Sequence, residues 1–231
     1  ESQVLLKNDG ILPIWENVTK IAVIGNDAFP RDCINGDTDM ECQNSTNKVV
    51  NGHVPLGFGS GTTTFGYLIP PIEGIKNLAK EKGIDIIESG KLNYTKLGKT
   101  ITNAEENYEQ GAIAAEEADI AIVFVKAVSG ESYLSVENVS EGDRMDLDLW
   151  HGGNELIEIV AEANPNTIVV INAPCVVSMP WLDKVRAVIF SGFPGAESGN
   201  AISDILFGVV NPSGHLPYVW APLEEYNVII N

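Results

Sequence analysis

Between Asp119 and Lys126 the chain reads Ile120-Ala121-Ile122-Val123-Phe124-Val125, six apolar residues without a break. A strand with one face in water alternates apolar and polar positions. An unbroken run of β-branched residues is instead a strand covered on both faces, the pattern of a parallel sheet with helices above and below. The pattern recurs at Lys20-Ile21-Ala22-Val23-Ile24-Gly25, at Thr167 to Ile171 and at Val185 to Phe190, with a more polar version at Ile84 to Glu88. Helical spacing separates these runs. Ile72 to Lys82 has Pro71 before it and Gly83 after it; Ala104 to Ala118, Gly153 to Ala163 and Ala196 to Phe207 follow. This alternation predicts an α/β fold: a three-layer sandwich with a mostly parallel, about six-stranded sheet. Residues 1–231 read as one domain, with 222–231 as an outgoing linker.

A parallel sheet opens its carboxyl ends onto the crevice where ligands bind. The 120–125 strand is followed there by Ser129-Gly130-Glu131 and Tyr133, then by Glu137, Glu141, Asp143 and Arg144. From the residues alone, a functional loop and a solvated acidic loop stand level. Leu56 to Thr64 holds three glycines and Ser60 but lacks the Gly-Lys-Ser/Thr end of a phosphate loop, so by itself it reads as a flexible turn. Asn26-Asp27-Ala28 follows the first core strand without a G-x-G-x-x-G, which disfavours a dinucleotide cofactor. No G-x-S-x-G is present to support Ser-His-Asp hydrolysis. His151 and His215 have no partners at metal or triad spacing and read as structural. Glu197 reads as a helix-start carboxylate, and Asp143 with Arg144 as a loop-stabilising pair. No cofactor and no metal are expected.

Charge narrows the partners. With 14 Lys+Arg against 32 Asp+Glu the net charge is −18, which argues against nucleic acid or an anionic membrane surface. No apolar run reaches the length of a membrane span. Asn-X-Ser/Thr acceptors at Asn17, Asn44, Asn93 and Asn138 tilt the chain towards secretion. Cys33 and Cys42 lie in one short polar segment and read as a disulfide ahead of a metal site, leaving Cys175 as a buried free thiol. The chain begins mid-pattern at Glu1-Ser2-Gln3-Val4, as a segment processed or excised from something longer would.

Several motifs together carry a family resemblance. Val4-Leu5-Leu6-Lys7-Asn8-Asp9-Gly10-Ile11-Leu12-Pro13 resembles the start of the second domain of glycoside hydrolase family 3, the β-glucosidases and their relatives. Gly57-Phe58-Gly59-Ser60-Gly61-Thr62 is similar to that family's glycine-rich loop, and Ser129-Gly130-Glu131-Ser132-Tyr133 to its Ser-Gly-Glu-Gly-Tyr. Gly192 to Ala201 and Asn211 to Pro217 resemble its closing motifs, and the cysteine pair is most like fungal members.

The resemblance implies an α/β sandwich packed on a barrel domain, with the active site between them. It also implies an Asp nucleophile on the barrel and a general acid/base at Glu131. By the same matching Ser60 would contact the sugar, and Tyr133, with Phe58, would flank the leaving group. A retaining glycosidase uses such a carboxyl pair roughly 5 Å apart. The implied substrate is a β-glucoside or oligosaccharide, and the implied location extracellular, the cell wall included. Phe58 stands where many fungal members have Trp, and Ser132 where they have Gly, both departures that bear on leaving-group preference. Nothing in the chain corresponds to the barrel, so residues 1–231 alone are expected to be inactive. The alternative is a stand-alone, inactive carbohydrate- or partner-binding module derived from that domain.

Overall fold

The computed structural model describes residues 2–15, 17–30, 52–57, 63, 65–97, 100–129, 139–140 and 143–222. Among them, β1 (Val4–Asn8) and β2 (Lys20–Ile24) precede α1 (Pro71–Lys82) and β3 (Asp85–Ser89). Next come β4 (Asn93–Leu97), β5 (Thr100–Glu105), α2 (Tyr108–Glu116) and β6 (Ile120–Lys126). The short pair β7 (Val139–Ser140) and β8 (Asp143–Arg144) leads to α3 (Gly153–Ala163), β9 (Thr167–Asn172), β10 (Ala187–Phe190) and α4 (Ser198–Leu206).

Six strands form one sheet in the order β1-β10-β9-β6-β2-β3. Every pairing is parallel except β1 with β10. The unbroken apolar runs have the expected consequence: every residue of β6, β9 and β10 is buried. Successive side chains face opposite sides. Ala22, Ile24, Val123, Val125, Val169 and Ile171 pack with Ala115 of α2 and Leu156, Ile157 and Val160 of α3. Ile21, Val23, Ile122, Phe124, Ile168 and Val170 pack with Ile72, Ile75 and Ala79 of α1 and Ile202, Ile205 and Leu206 of α4. The three-layer sandwich is thus α2 and α3, sheet, α1 and α4.

Two glycines set close approaches. Gly25 ends β2 at φ 94°, where a Cβ would stand 2.2 Å from the Phe124 carbonyl oxygen. The chain therefore turns out of β2 directly against β6. A Cβ on Gly74 would lie 2.1 Å from the Gly199 carbonyl oxygen, so α1 and α4 meet backbone to backbone.

Some expectations need correction. The helix expected over Ala104 to Ala118 begins only at Tyr108, because residues 100–105 pair with β4 as an antiparallel hairpin. Asn107 caps the helix there, its side chain accepting from the Gln110 N–H at 3.1 Å. Residues 4–8, which carried no strand signal of their own, form the antiparallel edge strand. A carboxylate also ties two segments at the sheet's amino end. Asp119 accepts from Thr19 N (2.7 Å), Thr19 Oγ1 (2.9 Å) and Lys20 N (2.9 Å). These bonds, led by the Thr19 amide, hold its carboxyl below the usual range.

Candidate functional site

Chain order and spatial order part between β2 and β6. From β2 the chain passes through α1 to β3 on one side, then through α2 to β6 on the other. The two connecting helices lie on opposite faces. Such a reversal leaves a crevice beyond the carboxyl ends of the two strands. The segment containing Phe58 and Ser60 is reached from the end of β2, and the one containing Glu131 and Tyr133 from the end of β6. Those four residues lie outside the described residues, as do Cys33, Cys42, Asn44 and Asn138.

A buried polar network fills the floor of this edge. Lys126, only 2% exposed, closes the apolar β6 run and donates from Nζ to Asn26 Oδ1 (3.0 Å) and to the Gly52 carbonyl (2.5 Å). Gly52 N donates to the same Asn26 Oδ1 at 2.6 Å. The Asn26 amide N–H donates to both oxygens of buried Glu106, at 3.0 and 3.2 Å. Asn172, at the end of β9, donates to Asp27 Oδ2 (3.0 Å) and to the Val54 carbonyl, while Val54 N donates to Asp27 Oδ1 at 3.0 Å. Residues 52–54 are therefore laced to the ends of β2, β6 and β9 together. Buried polar groups are costly unless partnered, so these bonds favour the observed placement of the segment, although Asn172 Oδ1 is buried without a hydrogen bond.

Asp27, His53 and Ser198 touch in the order of a hydrolytic triad: Nδ1 lies 3.3 Å from Asp27 Oδ2, and Nε2 lies 2.8 Å from Ser198 Oγ. Nδ1 also lies 2.9 Å from the Asp27 backbone carbonyl, and the Ser198 hydroxyl is within reach of both Nε2 and the Ile69 carbonyl, the latter at 3.0 Å. These contacts bind the three residues into a buried strut. All three side chains are at most 2% exposed, with no room for an acyl group at Oγ. Ser198 is the first residue of α4, so the strut fixes that helix to the crevice floor.

Residues singled out from sequence fall as follows. Glu197 stands at the start of α4 as expected, without a side-chain bond to the helix amides, and accepts from Tyr67 Oη (2.5 Å) and Asn200 Nδ2 (2.6 Å). These two donors hold its carboxyl below the usual range, and the carboxylate raises Tyr67. Arg144 is not paired with Asp143. Its Nη2 donates to Cys175 Sγ (2.9 Å) and the Val176 carbonyl (2.8 Å), because β8 aims it at the loop after β9. Cys175 is free and half-buried beside that guanidinium, not enclosed by apolar groups. His151 is buried against Trp150 at φ 59°, and its carbonyl accepts from Glu106 N at 2.9 Å, a structural role. His215 is exposed, its Nδ1 2.9 Å from the Ser213 carbonyl. Asn17 and Asn93 are both exposed. Among the described residues no cluster of His, Cys, Asp or Glu is arranged to hold a metal.

The network itself escaped the sequence reading. Its one visible signal was polar residues closing apolar strands at their carboxyl ends: Asn26 after β2, Lys126 on β6 and Asn172 on β9.

Comparison with known proteins agrees with this geometry. Residues 3–230 match the family model described as the glycosyl hydrolase family 3 C-terminal domain. The probable beta-glucosidase L of Aspergillus terreus is 41% identical over 223 residues, which are 94% of this chain and 27% of that protein. The probable beta-glucosidase A of Aspergillus niger is 36% identical over 232 residues, 97% of this chain and 24% of its own length. The crystal structure of the beta-D-glucoside glucohydrolase from Trichoderma reesei superposes with a TM-score of 0.81 at 36% identity, over 99% of this chain and 30% of that one. The chain thus spans about a quarter of the length of the curated relatives it matches. With the sheet order, the carboxyl-edge crevice and the match along nearly its whole length in accord, the chain belongs to the glycosyl hydrolase family 3 C-terminal domain family.

Proposed function

We propose that this chain is the acid/base-bearing domain of a secreted retaining β-glucosidase, with Glu131 as the proton donor. The nucleophilic carboxylate comes from a barrel domain of the same enzyme. The observation that carries the reading is the lacing of residues 52–54 onto the end of β6 through Lys126. That contact starts the segments bearing Ser60 and Glu131 from one edge of one crevice.

In the reaction the barrel carboxylate attacks the anomeric carbon of a terminal β-glucosyl unit while Glu131 protonates the departing oxygen. Glu131, now ionised, takes a proton from the water that cleaves the glycosyl-enzyme. Ser60 holds a hydroxyl of the cleaved sugar. Tyr133 and Phe58 offer aromatic faces to the leaving group. The net charge of −18 suits a neutral substrate and favours a protonated acid in a partly desolvated cleft. Two inversions at the anomeric carbon give net retention. Proton NMR of the full-length enzyme acting on 4-nitrophenyl β-glucoside, which releases a single glucose, should therefore show β-glucose first, with the α-anomer appearing only by mutarotation. Initial release of α-glucose would overturn the reading.

The same proposal places Cys33 and Cys42 in one disulfide, on the motif and their spacing in the chain. Peptide mapping without reductant should recover them as a cross-linked pair with Cys175 alkylated. Alkylation of all three would sink it.

A further inference from the structure

The tight turn before β2 holds two exposed groups that the catalytic reading leaves unused. Trp15 is 62% exposed, a large apolar surface of a kind that folded chains usually cover. Two residues on, Asn17 is also exposed, and Thr19 completes an Asn-X-Thr acceptor. Val18 N donates to the Trp15 carbonyl at 3.3 Å, so the chain turns back between Trp15 and Val18, with Asn17 in that turn.

The turn is anchored on both sides. Upstream, buried Ile14 donates from its amide to the Leu206 carbonyl at 2.8 Å. Downstream, Thr19 gives both its amide and its hydroxyl to Asp119. The backbone that carries the exposed indole and the exposed asparagine is thereby anchored at both ends.

We propose that Asn17 carries an N-linked glycan whose first N-acetylglucosamine stacks on the exposed face of Trp15, making the sugar part of the domain's packing. In the transfer, Asn17 Nδ2 attacks the anomeric carbon of a lipid-diphosphate-linked oligosaccharide. The C1–N bond forms as the C1–O bond to diphosphate breaks, and an amide proton is lost to a base. The pyranose C–H face then covers apolar indole surface that water otherwise meets, and the aromatic quadrupole favours those polarised hydrogens. Of the four acceptor asparagines only Asn17 has an aromatic residue two positions before it; Cys42, Lys91 and Val136 stand there for Asn44, Asn93 and Asn138. The turn also lies at the amino end of β2, across the sheet from the crevice, so a glycan there leaves substrate access open.

The inference rests on the reading of the enzyme as secreted, and the test separates the two. The full-length enzyme is exported from yeast behind a yeast leader, mapped for glycopeptides, and trimmed by an endoglycosidase to single N-acetylglucosamines. Asn17 is expected to be occupied, and trimming to leave Tm unchanged. Asn17→Gln should lower Tm by about 2–4 °C, the shift that a modest contact produces in a domain of this size. In a Trp15→Ala background the same Asn17→Gln change should move Tm by less than about 1 °C, since the stacking partner is gone. Activity on cellobiose should be the same in all four proteins. An equal Asn17→Gln shift in both backgrounds overturns the stacking. An unoccupied Asn17 overturns the site, and an occupied Asn93 in the same sample would leave the secreted reading intact.

Discussion

In the full-length enzyme, Glu131→Ala is expected to cost several orders of magnitude in kcat/KM on cellobiose, because departure of a poorly acidic alcohol requires protonation. General acid or base assistance is worth roughly 10²–10⁴-fold for a step. Aryl glucosides with very acidic phenols should lose far less in the first step, since they leave without a proton. With them the second step becomes limiting, the glycosyl-enzyme accumulates, and added azide restores turnover by attacking it without a base. Glu137→Ala, Glu141→Ala and Asp143→Ala should show none of this. Near-normal turnover of cellobiose by Glu131→Ala, with azide rescue of Glu141→Ala, would move the role to Glu141.

Lys126→Met should have the largest effect on stability. The methionine replaces the buried stem, but Asn26 Oδ1 and the Gly52 carbonyl lose their charged donor in a site 2% exposed. Leaving a buried neutral acceptor without its donor costs about 1–3 kcal/mol. At about 2–4 °C per kcal/mol for a domain of this size, the loss in Tm is on the order of 5 °C. At temperatures where the variant stays folded, kcat/KM should still fall by about tenfold or more, because the two segments leaving the crevice edge are no longer fixed against one another. Heat denaturation within about 1 °C of the parent would show that Lys126 does not hold this edge together.

How much of this was legible in the sequence follows from where each stabilising term lies. Strands β2, β6, β9 and β10 could be read because burial on both faces leaves a mark in consecutive residues. Strand β3, with no fully buried residue, showed only a more polar version of the run. The hairpin of β4 and β5 could not: Thr100-Ile101-Thr102-Asn103 has no sustained apolar alternation, and the small residues after Ala104 mimic a helix face. The edge strand β1 is buried only at Val4, so its pattern carried little period. The crevice floor was least visible, because its contacts join residues far apart in the chain. His53 meets Ser198 across 145 positions, and Lys126 meets Asn26 across 100. Local spacing cannot report such pairs, and the missing G-x-S-x-G gave no hint of the buried Asp27-His53-Ser198 strut. Motif matching proposed Ser60 and Glu131 by resemblance, whereas the contacts that tie residues 52–54 to the end of β6 needed the fold.

The most direct test of the account is the mass of a trapped intermediate. Full-length Glu131→Ala, quenched in acid during turnover of 2,4-dinitrophenyl β-glucoside and digested, should gain one anhydroglucose on a single peptide. The account predicts that this peptide lies outside residues 1–231, on the barrel carboxylate, and that azide abolishes the adduct. An adduct on a peptide within residues 1–231 would contradict it, because this chain would then hold the nucleophile and not the acid/base.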